Sequence, residues 1–170
     1  MDLLFESVYT DTEALIHEMA SKVLFRKARK WVIISGILAA AFLLRWFWLK
    51  KPAGLLGSIL YVALMLWYLT VPRRYARKQY QQALAYFNGN IPPACVRFGD
   101  AIFYQDGIAS YTIPYDKLKH LYVMKNSMVF ESDVGPLIQL SCNHFTKGTP
   151  AELLEFLRQM CPQMNLHIRK

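Results

Sequence analysis

The chain has 170 residues, a length typical of one domain or of one domain with an appendage. Its composition is 54% hydrophobic and 19% charged, which excludes a disordered chain, and three cysteines are too few for a disulfide scaffold. The net charge of +8 comes from residues 19–99, which hold 13 of the 20 Lys and Arg and no Asp or Glu. Because these bases flank apolar runs instead of lining a polar helix face, they favour contact with anionic lipid over nucleic-acid binding.

Two elements are predicted in residues 1–30. The apolar stretch Leu3–Tyr9 has the pattern of an isolated strand, which is unstable in water unless it joins a sheet. We expect it to add to a sheet formed by the C-terminal part of the chain. Residues 10–30 predict an amphipathic helix, since Thr10 and Glu13 match a capping box and apolar residues recur at helical spacing.

Two uncharged or nearly uncharged runs follow, at residues 31–49 and 53–71. Each has 19 residues, and about 20 apolar residues cross a bilayer as a helix. Only residues 50–52 separate them, so we predict a tight antiparallel transmembrane hairpin over residues 31–71. Two small-xxx-small pairs, Gly36 with Ala40 and Gly54 with Ser58, are expected to permit close helix approach.

Arg45 is the one charge within these runs, four residues before the end of the first. Two interpretations are open. Its guanidinium can snorkel to the membrane interface, which Trp46, Trp48, Lys50 and Lys51 already mark at that end. Alternatively, an intramembrane charge marks a polar pathway. We favour snorkelling because of those interfacial neighbours.

Basic residues are concentrated where the runs join the rest of the chain. Nine lie on the terminal side of the two runs and three on the hairpin side, so the positive-inside rule predicts that both termini are cytoplasmic. General attraction to anionic headgroups explains this pattern, and a dedicated anionic-lipid site is the sharper alternative. The basic cluster predicted to contact anionic lipid comprises Arg26, Lys27, Arg29, Lys30, Arg73, Arg74, Arg77 and Lys78.

Residues 72–93 predict a juxtamembrane helix and a linker, and residues 94–170 a separate β-rich domain. Short β-like runs recur there between turn signals such as Asp106-Gly107, which predicts a meandering antiparallel sheet. One run is LIQLSCNHF, residues 137–145. A helix capped by Thr149 follows, with an apolar stripe that includes Leu153, Leu157 and Met160. The fold class is therefore α+β: one small sheet covered by one C-terminal helix.

Few residues suggest chemistry. On a strand, Cys142 and His144 would share one face and form half of a zinc site or a Cys/His pair, but no further ligand lies near in sequence. A structural cysteine beside a turn histidine is the preferred interpretation. We therefore predict no catalytic residue, no metal site and no cofactor.

Three segments carry a family resemblance. Val96–Ile108 contains a strand and an aspartate–glycine turn, Thr112–Tyr122 contains an isoleucine–proline–tyrosine motif, and Leu153–Gln159 forms the closing helix. With the apolar hairpin, they resemble the bacterial YcxB-like proteins. The resemblance implies a two-helix membrane hairpin followed by a C-terminal domain of the pleckstrin-homology (PH) type, at a bacterial plasma membrane. It implies no catalytic or binding residue.

The expected function is a membrane-anchored, non-enzymatic interaction module. Its cytoplasmic PH-like domain would bind a protein, a peptide or a lipid headgroup, and its partners would be anionic lipids and a protein partner or a second copy. An accessory subunit of a membrane transport or export assembly is the alternative. An enzyme using Cys142 and His144 is a third hypothesis.

Overall fold

The computed structural model describes residues 3–50 and 52–168, with Arg29 described by its backbone only. Lys51, which was counted among the hairpin-side bases, lies outside the described residues. The fold is α+β and contains two long apolar helices. It divides into two compact units: one contains residues up to Met19 together with those from Lys78 onward, and the other contains Ala20–Arg77.

The helical unit consists of two long helices in sequence. The short helix α1 (Glu13–Met19) continues through a π-helical stretch (Ala20–Leu24) into α2 (Arg26–Leu49). Lys50 ends α2 in the left-handed conformation, with its N–H donating to the Trp46 carbonyl at 2.8 Å. Helix α3 (Pro52–Tyr86) runs through Pro72 without a break, so the expected juxtamembrane helix is the second half of α3.

The β-rich unit contains two sheets. The five-stranded sheet has the order β4-β3-β2-β1-β8, and the four-stranded sheet has the order β7-β6-β5-β9. The strands of the first sheet are β1 Phe5–Tyr9, β2 Ala94–Phe98, β3 Ile102–Gln105, β4 Ser110–Ile113 and β8 Phe145–Lys147. Those of the second are β5 Leu118–Val123, β6 Ser127–Ser132, β7 Ile138–Ser141 and β9 Asn165–Ile168.

Strand β1 lies inside the first sheet, which confirms that the N-terminal strand joins strands from the C-terminal part of the chain. It pairs antiparallel with β2, with Phe5 opposite Phe98 and Tyr9 opposite Ala94. On its other side it pairs with β8, and a register shift lies between Glu6 and Ser7. A strand bonded on both sides is fully satisfied, unlike the isolated strand of the sequence pattern.

The prediction of one antiparallel sheet is wrong. The strands form two sheets, and within the second sheet β9 pairs parallel with β5. The predicted continuous run 137–145 is also broken: β7 ends at Ser141, a turn follows, and β8 starts at Phe145 in the other sheet. The turn lets the chain cross between sheets, and the Cys142 N–H donates there to the Asn126 carbonyl at 2.9 Å.

The core fills the space between the two sheets and helix α4 (Pro150–Met160). Thr149 caps α4 in the predicted way, with the complete capping box formed with Glu152. Leu153 and Leu157 are fully buried against the sheets, whereas Met160 is 51% exposed, so its inclusion in the predicted apolar stripe was wrong. Fully buried core side chains include Phe98, Phe130, Ile102, Leu121, Ile138 and Leu140.

This difference within α4 gives a direct test. We expect Leu157→Ala to lower the free energy of unfolding by about 2–5 kcal/mol, because it leaves a cavity in a closed core. Met160→Ala on the same helix should change it by less than about 0.5 kcal/mol, as for other exposed positions. Thermal or denaturant unfolding of both variants measures the contrast, and equal losses would contradict the assigned helix face.

Candidate functional site

The two long helices pack antiparallel along their length. A Cβ at Gly36 would lie 3.7 Å from the Met65 sulfur, so these two residues are opposite each other. Aromatic pairs continue the same antiparallel register along the helices. In each contacting pair the two residue numbers add up to about 100, as expected for two helices that run antiparallel from a connection near residue 50. The aromatic pairs are Phe25 with Tyr75 at 5.5 Å between ring centroids, Trp31 with Tyr68 at 6.5 Å, and Phe42 with Tyr61 at 5.5 Å.

Small residues bring the helices together near the connection. Gly54 and Ser58 are buried, as the small-xxx-small spacing predicted. On α2 the buried small residues are Ser35 and Ala39, one position away from the predicted pair, and Ala40 is exposed. The prediction for α2 was thus only partly right: Gly36 lies against α3, whereas Ala40 is exposed and Ala39 is buried in its place.

Gly54 lies directly against the backbone of α2 at this contact. A Cβ there would lie 2.8 Å from the Trp46 backbone nitrogen and 2.9 Å from its Cα, so a side-chain rotation cannot relieve the overlap. We expect Gly54→Ala to destabilise the hairpin by about 1–3 kcal/mol. Gly36→Ala, whose added methyl meets ordinary van der Waals space, is the matched control. Thermal unfolding in detergent measures both, and equal stability of the two variants would contradict the observed helix approach.

The outer surface of the helical unit is apolar. Both helices are long and apolar enough to cross a membrane, with mean hydropathies of 2.0 and 1.9 in the most apolar 18-residue window of each and only 11% of each window buried. The core helix of a soluble protein buries such residues. Large side chains that are more than half exposed include Ile37, Leu44, Trp48, Leu56, Leu60 and Leu66.

The basic cluster gathers at one end of this unit. Because Phe25 contacts Tyr75 and Trp31 contacts Tyr68, residues 26–30 lie level with residues 69–74 of α3. The guanidinium of Arg74 lies 4.9 Å from the Trp67 ring centre, a cation–π contact. The described side chains of the cluster in this unit are all exposed: Arg26, Lys27, Lys30, Arg73, Arg74 and Arg77. Lys78 is the next residue of α3 and is exposed in the β-rich unit.

Arg45 lies at the opposite end of the hairpin. Arg45 is exposed and is not enclosed between α2 and α3. Nearby, the Lys50 ammonium lies 4.8 Å from the Phe47 ring centre and 5.6 Å from the Trp46 ring centre. This end therefore combines bases with aromatic rings, the composition typical of a membrane interface.

Cys142 and His144 do not form the hypothetical pair. Cys142 lies in the turn after β7, and the His144 Nδ1 is 2.8 Å from the Ser141 hydroxyl instead. Burial, with a smaller effect from Glu18, raises the pKa of the Cys142 thiol to about 11. A thiol with a raised pKa is a poor nucleophile at neutral pH. In this geometry Cys142 is not activated as a nucleophile.

The raised pKa makes a measurable prediction for Cys142. At pH 8 its alkylation by iodoacetamide should be much slower than that of a free thiol of ordinary pKa near 8.5, because less thiolate is present. Mass spectrometry of the intact, folded chain gives the rate, and a cysteine-containing peptide in the same tube is the control. A Cys142 rate equal to that of the peptide would contradict its buried environment.

Two concave surfaces on the β-rich unit are formed by described residues. One, of about 440 Å³, lies beside Glu6 and Arg97, whose side chains form an ion pair at 2.8 Å. The hydrogen bond from Arg97, and a second from Thr146, lower the pKa of Glu6. That contribution to stability is therefore present above the ordinary carboxyl pKa and is lost as the pH falls.

The second groove, of about 470 Å³, is lined without charged side chains. Its polar lining comes from Thr10, Thr12, Asn126, Ser141, Asn143 and His144. The adjoining helix α1 is held in place by Gln139, whose amide donates to the Leu15 carbonyl at 2.8 Å, and by Glu18, which accepts from the Ser127 hydroxyl at 2.8 Å. The sequence pattern did not reveal this groove, because its lining is collected from four distant segments.

Within residues 3–50 and 52–168, no group of three or more His, Cys, Asp and Glu comes together in a way that could hold a metal ion. One pair of histidines, His120 and His167, is in direct contact: His120 Nδ1 and His167 Nε2 are 3.2 Å apart. Both are distant in sequence from Cys142 and His144, and the sequence pattern did not predict their contact with each other.

Comparison with known proteins adds no relative. No protein-family model matches the chain, and no curated protein is significantly similar to it.

Proposed function

We propose that this chain is a membrane-anchored, non-enzymatic interaction module. The observation that carries the proposal is the helical unit: two antiparallel apolar helices expose large side chains over most of their length, and bases gather at one end. Water strongly disfavours such a surface, whereas a bilayer core about 30 Å thick accommodates it. Burial in lipid therefore accounts for both the length and the exposure of the two helices.

The basic cluster supports the orientation in which both termini are cytoplasmic. Its bases are exposed and are available to anionic headgroups, each worth about 1 kcal/mol near the membrane surface. The Arg74–Trp67 contact adds an aromatic anchor at that level. General attraction of this cluster to anionic headgroups is sufficient to explain the pattern of bases without a dedicated lipid site. Arg45 fits the snorkelling interpretation at the other interface.

The β-rich unit is the proposed cytoplasmic binding module. Its two sheets and closing helix α4 support a PH-like domain and are consistent with the YcxB-like resemblance. The uncharged groove beside α1 offers polar groups and apolar walls to a protein or peptide partner. We favour such a partner over a lipid headgroup, because a phosphate would call for Lys or Arg in the groove.

Single-cysteine labelling tests the orientation. In a chain whose three native cysteines are replaced, one cysteine is placed at Lys50, in the connection between α2 and α3, and in a second variant at Glu155, which is exposed on α4. A membrane-impermeant maleimide should label position 50 in intact cells and position 155 only after permeabilisation. Labelling of position 155 in intact cells would overturn the cytoplasmic assignment.

Site-specific photocrosslinking tests the binding role. A photoreactive residue at Asn143 reports on the groove, and one at Ile59 reports on the apolar surface of α3. The proposal predicts a protein partner captured from Asn143, and competition by that purified partner should abolish the product. Capture from Ile59 alone would instead favour the accessory subunit of a transport or export assembly.

A further inference from the structure

A pair of histidines lies on the four-stranded sheet, outside every surface assigned above. His120 is on β5 and His167 is on β9, and the parallel pairing of these strands places Tyr122 opposite His167. The His120 Nδ1 and His167 Nε2 atoms are 3.2 Å apart, with ring centroids separated by 5.2 Å. Both residues are partly exposed, so solvent reaches the pair.

This distance matches two ligands of one metal ion. Zinc–imidazole bonds of about 2.0–2.1 Å in a tetrahedral arrangement place two ligand nitrogens about 3.3 Å apart. In the metal-free pair, one ring N–H donates to the lone pair of the other ring. An ion bound at this position would displace that N–H proton, and the same ring would take up a proton from solvent at its other nitrogen, so that both histidines bind as neutral imidazoles.

The neighbours of the pair hold it in this geometry. The Tyr122 ring stacks on His167, with centroids 4.9 Å apart and planes at 17°. The Tyr122 hydroxyl donates to Glu131 Oε2 at 3.0 Å, and Glu131 lies directly across the sheet from His120. The two histidines thus lie on hydrogen-bonded neighbouring strands, and the Glu131 carboxylate adds negative charge beside them.

We propose that His120 and His167 form a binding site for a borderline divalent transition-metal ion of the zinc type. Imidazole nitrogen suits zinc, nickel and copper, and the tetrahedral spacing favours zinc. Water completes the coordination around these two imidazole ligands. A bound ion links β9 to β5 and so stabilises the folded chain in proportion to its occupancy.

Metal titration of the full chain in detergent, purified without a histidine tag, tests the site. We expect one Zn²⁺ or Co²⁺ per chain, with visible absorption of tetrahedral Co²⁺ and a rise in the unfolding temperature. His120→Gln and His167→Gln should each weaken Zn²⁺ binding by about tenfold or more. The matched control is His17→Gln at an exposed position of α1, which should bind as the unmodified chain does.

A second readout needs no variant. Zn²⁺ should protect His120 and His167, but not His17 and His144, from carbethoxylation by diethyl pyrocarbonate, as mapped by mass spectrometry. Equal modification of all four histidines with and without Zn²⁺ would overturn the proposal. Affinities of the His120 and His167 variants within about twofold of the unmodified chain would overturn it as well.

Discussion

Deletion of residues 2–10 is expected to abolish cooperative folding of the β-rich unit. The deletion removes β1, which is hydrogen-bonded to β2 on one side and β8 on the other. It also removes Tyr9, a buried core residue whose hydroxyl donates to the Gln139 carbonyl. The loss is comparable to the whole stability of a domain, about 5–15 kcal/mol. Thermal unfolding of the purified chain measures it.

A point variant keeps this test interpretable if the truncated chain cannot be purified. The Val8 N–H donates to the His144 carbonyl at 3.1 Å, and proline has no N–H to replace it. Val8→Pro should therefore strongly lower the unfolding temperature, whereas Val8→Thr, which keeps the N–H and the branched side chain, should lower it far less. Full thermal stability of the truncated chain would show that β1 is dispensable to the sheet.

Leu60→Asp is expected to prevent stable insertion of the hairpin. Leu60 is 59% exposed in the middle of the second apolar run, so in water an aspartate there would be well solvated. In a bilayer the same substitution costs about 2.5–3.5 kcal/mol near the helix centre. The fraction of the chain that resists alkaline carbonate extraction from membranes measures the effect.

The control for Leu60→Asp is on the same helix. Gln82 is also exposed on α3 but lies beyond the apolar run, in the half that is expected to be in water. Gln82→Asp should leave the membrane-bound fraction unchanged. If Leu60→Asp left membrane association unaffected as well, the outer surface of α3 would not face lipid.

Local patterns predicted the elements whose signals are local. The two long helices follow from uninterrupted apolar runs, and α4 follows from the Thr149 capping box. The position of β1 in a sheet follows from an equally simple argument, since a lone strand has no other way to satisfy its backbone. The helices depend on a few adjacent residues, and the position of β1 depends on the need to hydrogen-bond the backbone of a strand.

Pairings between distant segments were not predictable in the same way. Strand spacing does not state which strands share hydrogen bonds, so the division into two sheets and the parallel β5–β9 pair were missed. The contact between His120 and His167 is a consequence of that parallel pair and was missed with it. The chain crosses between sheets after Ser141, which separated Cys142 from the strand face assumed for it.

Fractionation of cells lysed without detergent tests most directly whether the hairpin resides in the membrane. After ultracentrifugation and an alkaline carbonate wash, we predict that the chain stays in the membrane pellet and is released by detergent. A chain recovered in the supernatant as a soluble monomer would contradict it.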